Sequence, residues 1–197
     1  NLFGHVDELH RHRVSLRRRL RFCDSWVYDS EQGGGRIIGE VCHFVDLIQY
    51  LSDSQPVRVY AECISAGTGA VLNKDNVVVT IKLRNGSVGS ISYIASGDKS
   101  YPREKVEIFG KGSVGVINNF KSASFTRNGK TKKKKSYMSM DIGHTDEMDA
   151  LFNAVKKGRE FPVSFEEYVY TTLTTFRIED SIREGKPMKI DISEVYP

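Results

Sequence analysis

Three consecutive glycines, Gly33 to Gly35, set the strongest local constraint on how this chain folds. Glycine has no side chain to pack into a core, and it adopts positive φ readily, at an entropic cost on folding. The glycines are followed by Arg36, Glu40 and His43, and an amphipathic pattern begins at Glu40. A flexible loop that delivers such polar groups to the start of a helix is more typical of a reaction site than of a structural joint.

The size and composition of the chain favour one sizeable folded domain. Its 197 residues are 39% hydrophobic and 27% charged, which argues against disorder. No apolar run approaches the ~20 residues that span a bilayer, and the arginine-rich start is unlike a signal peptide. Cys23, Cys42 and Cys63 form no CxxC motif and no metal-ligand spacing, so we expect reduced thiols in a cytoplasmic protein.

The net charge of +4 is concentrated in two basic clusters, one of arginines over residues 11–21 and one of lysines over residues 130–135. Such clusters either bind nucleic acid or a membrane surface, or form a solvated strand or hairpin tip. No recognition helix, RNP motif or interleaved aromatic pattern accompanies the lysines. We therefore favour the solvated strand and expect neither nucleic acid nor membrane as a partner.

The middle of the chain has the period-two pattern of strands. Residues 1–21 fit no period and are poorly assigned, although residues 16–22 alternate as an edge strand would. From residue 22 to 197 we predict one domain, in which a helix from Glu40 to about Ser52 precedes a meander of about six strands. Its hairpin signals are Asn85-Gly86, Gly110-Lys111-Gly112 and Asn128-Gly129.

Two helices are predicted to close the chain. The first covers Thr145–Lys157 and ends at Gly158, and the second begins at Ser164 and ends near Gly185. Strands do not alternate with helices, so the fold class is α+β, an open, mostly antiparallel sheet with helices packed on one face. The free face would be an interaction surface, which a second copy of the chain usually buries.

His43 is the leading candidate for chemistry, because an imidazole can transfer protons near neutral pH. Its alternative role is a hydrogen bond within the fold. Glu40 either satisfies the helix dipole or orients His43 from three residues away. Arg36 either binds a carboxylate or phosphate or is a surface arginine.

The remaining candidates are weaker. Trp26 and Tyr28 either line a sugar-sized pocket or anchor a loop by packing. His144 is expected to have a structural role at a helix start. There is no metal-ligand spacing, no GxSxG and no GxGxxG motif in the sequence.

The segment Glu31–Leu47 resembles the central motif of the Gfo/Idh/MocA oxidoreductases, and it is closest to the subgroup whose motif reads GGGRIxGExCHFxD. The tail is similar as well, with Gly143-His144 before a helix and the run Phe161–Glu167 before the last one. The resemblance extends from about Trp26 to Asp191. It implies a C-terminal domain with the fold shared by the C-terminal domains of dihydrodipicolinate reductase and GAPDH.

Such enzymes carry NAD(P) on an N-terminal Rossmann domain that this chain lacks, and that domain also supplies a lysine. The resemblance implies a dehydrogenase of sugar, polyol or nucleotide-sugar hydroxyls, with NAD or NADP in the complete enzyme and no cofactor on this chain alone. It assigns His43 as catalytic, and Gly39 stands where many members carry a carboxylate. We expect Arg36, Glu40, Trp26 and Tyr28 to contact substrate.

The same resemblance implies a homo-oligomer, a dimer or tetramer joined through the open sheet, and the isolated chain is expected to be inactive. The alternative is a non-catalytic binding or scaffolding protein with a degenerate site, which would use the same sheet face for its partners.

Overall fold

The computed structural model of the chain describes residues 13–18, 34–64, 76–95, 97–98, 100–135, 143–161 and 163–195. Within these ranges the chain forms one open sheet and three α-helices. For residues 13–18 only the backbone is described.

The sheet contains nine strands in the described part of the chain, in the order β8-β7-β6-β5-β1-β4-β3-β2-β9. Two antiparallel groups of four strands, β5 to β8 and β2 to β4 with β9, are joined by β1. The predicted α+β class with an open, mostly antiparallel sheet is confirmed. The strands are β1 Arg13–Arg18, β2 Pro56–Cys63, β3 Asn76–Leu83, β4 Val88–Ile94, β5 Glu104–Gly110, β6 Ser113–Asn118, β7 Ser122–Arg127, β8 Lys130–Lys135 and β9 Met188–Lys189.

The predicted edge strand at residues 16–22 is wrong in its position. β1 covers Arg13–Arg18 and lies inside the sheet, parallel to β4 and antiparallel to β5. Residues 19–22 lie outside the described residues. The alternation of residues along a strand reports which face each residue occupies, but not whether both backbone edges are paired. The partners of β1 are remote in sequence, so no local pattern could place it.

The hairpin predictions are confirmed, and glycine explains why the turns form. Gly86 has φ of 88°, and Asn128 and Gly129 have φ of 50° and 69°, in the region that asparagine and glycine tolerate best. These turns join β3 to β4 and β7 to β8, and Lys111-Gly112 joins β5 to β6 in the same way.

The lysine run forms β8, the last strand at one edge of the sheet. All six of its residues are exposed, so the predicted solvated strand is confirmed. An edge strand presents unpaired backbone groups, and a row of lysines protects it against pairing with other chains.

The glycine loop leads into helix differently from the prediction. Gly34 and Gly35 have φ of 68° and 77°, and right-handed helical backbone already begins at Arg36, which has φ of −70°. A π-helical turn covers Ile37–Val41, and α1 follows over Cys42–Ser52, ending at Asp53 with φ of 47°. His43 therefore lies about two turns inside continuous helix, not in its first turn. Such π-helical turns are rare and are frequent at functional sites.

The two closing helices are confirmed at nearly the predicted bounds. The first, α2, covers His144–Lys157 and is ended by Gly158 at φ 59°. The second, α3, covers Phe165–Glu184 and begins with a capping box, in which Ser164 Oγ accepts from the Glu167 amide and the Glu167 carboxylate accepts from Ser164. A capping box satisfies two of the amides that a helix start leaves unpaired.

The hydrophobic core lies between α1, α3 and one face of the sheet. Along β3 the buried residues Val77, Val79 and Ile81 alternate with the exposed Val78 and Thr80, as a sheet covered on one face requires. In contrast, four large apolar residues of α2 remain exposed: Met148, Leu151, Phe152 and Val155. Among the described helices, none is long and apolar enough to cross a membrane.

Candidate active site

The solvent-facing side of α1 and the π-helical turn before it carries the predicted reactive histidine. Gly39, His43, Asp46 and Tyr50 are all exposed, and their spacing of four, three and four residues places them along one side of a helix. No acid occupies position 39, so Asp46 is the acidic group nearest His43 on this exposed stripe.

The opposite side of α1 is fixed in the core. Val41, Val45 and Ile48 are fully buried, and the side-chain amide of Gln49 donates to Thr171 Oγ1 at 2.6 Å and to the Glu167 carbonyl at 3.5 Å. These bonds hold the first turns of α3 beside the last turn of α1. The exposed stripe therefore sits on a rigid support, as a site that must hold a precise geometry requires.

The carboxyl of Asp46 lies in a crowded and acidic environment. Partial burial of the carboxyl raises its pKa, and the negative charges of Glu167 on α3 and Glu147 on α2 raise it further, while the nearby imidazole of His43 lowers it. Three helices thus contribute charged groups to one region. In the sequence Asp46 is one residue of the motif, and the charges that surround it come from helices remote in sequence.

Tyr168 belongs to the same region. Its side chain is 46% exposed. Partial burial raises the pKa of its hydroxyl, and Asp46, Glu147 and Glu167 raise it further. The capping box that starts at Ser164 was the available signal, because it places residue 168 in the first turn of α3, beside Glu167.

Arg36 and Glu40 do not share the exposed stripe with His43. Arg36 is buried, with 6% of its surface exposed, so it is not a surface arginine. One carboxylate oxygen of Glu40 is buried, whereas His43 is on the solvent side. Whether Glu40 orients His43 stays a prediction.

Cys42 precedes His43 but is not activated as a nucleophile. Burial raises the pKa of its thiol, and the nearby carboxylates of Glu40 and Asp46 raise it further, against a hydrogen bond from the His43 backbone that lowers it. A thiolate is the reactive form of cysteine, so this thiol stays protonated at neutral pH. Cys42 and Cys63 are both free.

The other sequence candidates contribute less. Trp26, Tyr28 and Cys23 lie outside the described residues. His144 begins α2 and is exposed, with Nδ1 4.0 Å from a carboxylate oxygen of Glu147. In the ranges that the structure describes, no group of three or more histidine, cysteine, aspartate or glutamate residues is arranged to hold a metal ion.

A family model described as the GFO/IDH/MocA C-terminal domain matches residues 4–114, more than half of the chain. The chain belongs to the Gfo/Idh/MocA family. The matched region includes the glycine loop, the exposed stripe that carries His43, and residues 4–21 of the N-terminal segment that the sequence patterns left unassigned. Among curated proteins no relative matches this Gfo/Idh/MocA domain.

Solved structures share the fold of the domain at low identity. Levoglucosan dehydrogenase in complex with NADH and levoglucosan is 18% identical, with a TM-score of 0.76 over 96% of this chain and 61% of that one. An oxidoreductase domain protein from Kribbella flavida is 17% identical, with a TM-score of 0.72 over 95% and 60%. UDP-N-acetylglucosamine 3-dehydrogenase from Acidithiobacillus ferrooxidans is 14% identical, with a TM-score of 0.70 over 92% and 61%.

The Gfo/Idh/MocA domain thus spans about three fifths of the length of these structures. It corresponds to the C-terminal domain of this oxidoreductase family. Chemically, its exposed stripe offers an imidazole that can exchange a proton and a carboxylate within about one helical turn of it.

Proposed function

We propose that this domain is the substrate-binding and proton-handling half of an NAD(P)-dependent dehydrogenase that oxidises a hydroxyl of a sugar, polyol or nucleotide sugar. The observation that carries the proposal is the exposed position of His43 on a helix anchored in the core, within the central motif of the Gfo/Idh/MocA family. An exposed histidine on a rigid support can reach a substrate hydroxyl and exchange a proton with it.

The bound nicotinamide of the complete enzyme would supply hydride chemistry, accepting a hydride from the carbon that bears the hydroxyl. The part assigned to this chain is proton handling. As that C–H bond breaks, the hydroxyl proton passes to a nitrogen of His43, and the oxygen becomes a carbonyl. In the reverse direction His43 returns the proton to the carbonyl oxygen.

Sugar-like substrates are supported by the neighbouring structures. One is levoglucosan dehydrogenase in complex with NADH and levoglucosan, and another is an aldose-aldose oxidoreductase from Caulobacter crescentus in complex with glycerol. Within this proposal Trp26 and Tyr28 contact the sugar. Arg36 and one oxygen of Glu40 are buried at the start of the helix. Within this proposal they would shape the floor of the site.

The cofactor would bind a part of the protein that these 197 residues do not include, because the sequence has no phosphate-binding glycine motif. The chain alone is therefore expected not to bind NADH tightly. Calorimetric titration of the 197-residue chain with NADH tests this, and micromolar affinity would contradict it.

The open sheet face is the proposed contact between copies of the chain. It exposes large apolar side chains at Ile64 on the continuation of β2, Val78 on β3 and Phe109 on β5. Val78→Lys is expected to shift the mass measured by light scattering toward the monomer, whereas Val155→Lys on the exposed side of α2 should leave the mass unchanged. An unchanged oligomer in Val78→Lys would contradict the proposal.

The decisive experiment uses the native protein that contains this chain. A panel of sugars, polyols and nucleotide sugars is offered with NAD or NADP, and turnover of wild type is compared with that of His43→Ala. We expect substrate-dependent reduction of one nicotinamide, lost in the variant. Absence of turnover with every class while ligands still bind the sheet face would favour the scaffolding alternative.

A further inference from the structure

We propose that β8 binds an acidic peptide segment of another protein, which extends the sheet by pairing with the β8 backbone. The proposal does not depend on the role of His43. β8 covers Lys130–Lys135, is the terminal strand of the sheet in the described part of the chain, and is exposed at all six positions. Five of those positions carry lysine, and the sixth is Thr131.

The outer edge of β8 offers unpaired backbone groups at three positions. β8 pairs with β7 across a two-residue turn, so that Arg127 faces Lys130. In a hairpin of this kind the pair that closes the turn is hydrogen-bonded, and hydrogen-bonded and non-hydrogen-bonded pairs then alternate along the strands. The N–H and C=O groups of Thr131, Lys133 and Lys135 therefore point away from β7. An extended peptide can bond to that row as a further strand.

The length of this edge is sufficient for a partner strand. Proteins commonly keep the edge strands of a sheet very short or cover them, because a long free edge attracts other strands. The strand at the opposite end of the sheet, β9, has two residues. β8 has six, which is the usual length of a strand and extends over about 20 Å. Only the β8 edge is therefore long enough, in the described sheet, to hold a full strand.

The positive charge of β8 is not balanced within the ranges that the structure describes. None of its lysines forms a salt bridge there, whereas Lys105 Nζ on β5 lies 2.7 Å from a carboxylate oxygen of Glu107. The neighbouring strand β7 contains no acidic residue. Like charges on adjacent positions repel, and opposite charges across a strand pair attract. The lysines that keep ordinary strands from pairing here therefore favour an acidic strand.

Lysines lie on both faces of this edge, which distinguishes an added peptide strand from other anionic partners. Successive side chains of a strand point to opposite faces, so Lys132 and Lys134 lie on one face and Lys133 and Lys135 lie on the other. A membrane surface or a nucleic acid lying against one face would meet only one of these pairs. A peptide strand in the plane of the sheet has side chains on both faces, and can place an acidic residue beside each pair.

The test uses the 197-residue chain and a fluorescent peptide of about eight residues, in which glutamates occupy both faces of an extended strand between valines and threonines. We expect fluorescence anisotropy to show binding at low ionic strength that weakens as salt is added. A peptide of equal charge with proline at alternate positions lacks the backbone donors, and should bind about tenfold more weakly or less. No binding of the acidic peptide, or equal binding of the proline peptide, would overturn the proposal.

Two matched double variants test whether both faces are used. Lys132→Glu with Lys134→Glu, and Lys133→Glu with Lys135→Glu, should each lower the affinity for the acidic peptide by about fivefold or more. Lys156→Glu, at an exposed position of α2, should leave the affinity unchanged. The variant with all four β8 substitutions should instead bind a peptide with lysine in place of glutamate, a change of specificity that a misfolded edge cannot produce. A loss of affinity in only one of the two double variants would contradict strand pairing.

Amide hydrogen exchange locates the contact at single residues. With the acidic peptide bound, the amides of Thr131, Lys133 and Lys135 should exchange more slowly, because they become hydrogen-bonded to the peptide, while those of Lys132 and Lys134 should be unchanged. An oligothymidylate of equal charge and phosphatidylserine vesicles serve as alternative anions. If either bound more tightly than the acidic peptide, the lysines would belong to a nucleic acid or membrane surface, and the proposal would be wrong.

Discussion

The side-chain amide of Gln49 donates a 2.6 Å hydrogen bond to Thr171 Oγ1 across the buried interface between α1 and α3. The two residues are 122 positions apart in sequence. The bond holds the helix that carries His43 and Asp46 beside the helix that carries Glu167 and Tyr168. The electrostatic environment of the candidate site therefore depends on a buried hydrogen bond between two residues that are not part of the site.

Thr171→Val is expected to destabilise the fold. The change keeps the shape of the side chain but removes the acceptor, so the Gln49 amide loses its short bond in a buried setting. Leaving such a group unsatisfied costs about 1–3 kcal/mol. The free energy of unfolding in urea measures the change. The matched control is Thr172→Val at the neighbouring exposed position, and an equal loss in both variants would show that the buried bond has no special role.

Gly89→Ala is expected to disturb the packing of α1 against the sheet. A Cβ at this position would lie 2.8 Å from both Cδ1 and Cγ2 of Ile48, which is shorter than carbon atoms tolerate. Overpacking of this kind costs about 1–3 kcal/mol. Thermal unfolding of Gly89→Ala, Ile48→Ala and the double variant forms a cycle, in which the double variant should lose less stability than the sum of the two. If the losses of stability in the two single variants were additive, the added Cβ at position 89 would not clash with the Ile48 side chain.

The sheet and its hairpins could be predicted because turn chemistry is local. Asn128-Gly129 demands positive φ at both residues, and the flanking strands follow from it. The capping box of Ser164 and Glu167 fixed the start of α3 for the same reason. The position of β1 between β4 and β5 could not be predicted, because its partners are roughly 75 to 95 residues away and a strand pattern does not encode its neighbours.

The candidate site could be predicted only in part. The glycine loop and His43 are close together in sequence, so their association could be predicted from the sequence. The burial of Arg36 and the charges that α2 and α3 bring to Asp46 depend on how separate helices pack. A residue pattern along one helix does not report what faces it from another helix. Whether Trp26 and Tyr28 contact substrate stays a prediction.

Asp46→Asn is expected to stabilise the fold slightly at neutral pH. The folded state raises the pKa of Asp46 through burial and through Glu167 and Glu147, so ionised Asp46 opposes folding, and wild type gains stability as the pH falls through that raised pKa. Because the residue is exposed, the gain should stay below about 0.5 kcal/mol. It should shrink toward acidic pH, where wild-type Asp46 is also neutral.

Chemical unfolding of wild type and Asp46→Asn across a pH series measures that gain. Asp149→Asn provides the control, since residue 149 is an exposed aspartate in the middle of α2. A gain of the same size and pH dependence at both positions would contradict a specific acidic environment at Asp46.

Asp180 is expected to support stability with the opposite pH dependence. Burial by itself would raise its pKa, but hydrogen bonds from Arg177 and Arg183 outweigh burial and lower it. The bond from Arg177 Nη1 is 2.9 Å long. A lowered folded pKa gives stability that is present above the unfolded pKa and is lost as the pH falls through the folded one.

Asp180→Asn should therefore lower the free energy of unfolding by about 1–3 kcal/mol at neutral pH. The difference in this free energy between the variant and wild type should become smaller at acidic pH. Unfolding in urea over a pH series measures both effects. Glu184→Gln, which removes the exposed pair with Lys186, should have a much smaller effect. If the free energy of unfolding differed between wild type and Asp180→Asn by the same amount at every pH, the charge of Asp180 would not be the source of its contribution.

The most direct test of the central claim is the turnover number of His43→Ala in the native protein that contains this chain, measured as nicotinamide reduction with the sugar that wild type oxidises. We expect kcat to fall by about 10²–10⁴-fold, roughly the contribution of a general base, while nicotinamide affinity is unchanged. Tyr50→Ala, on the same exposed stripe, controls for the loss of a surface side chain. A kcat in His43→Ala equal to that of wild type would contradict the assignment of proton transfer to His43.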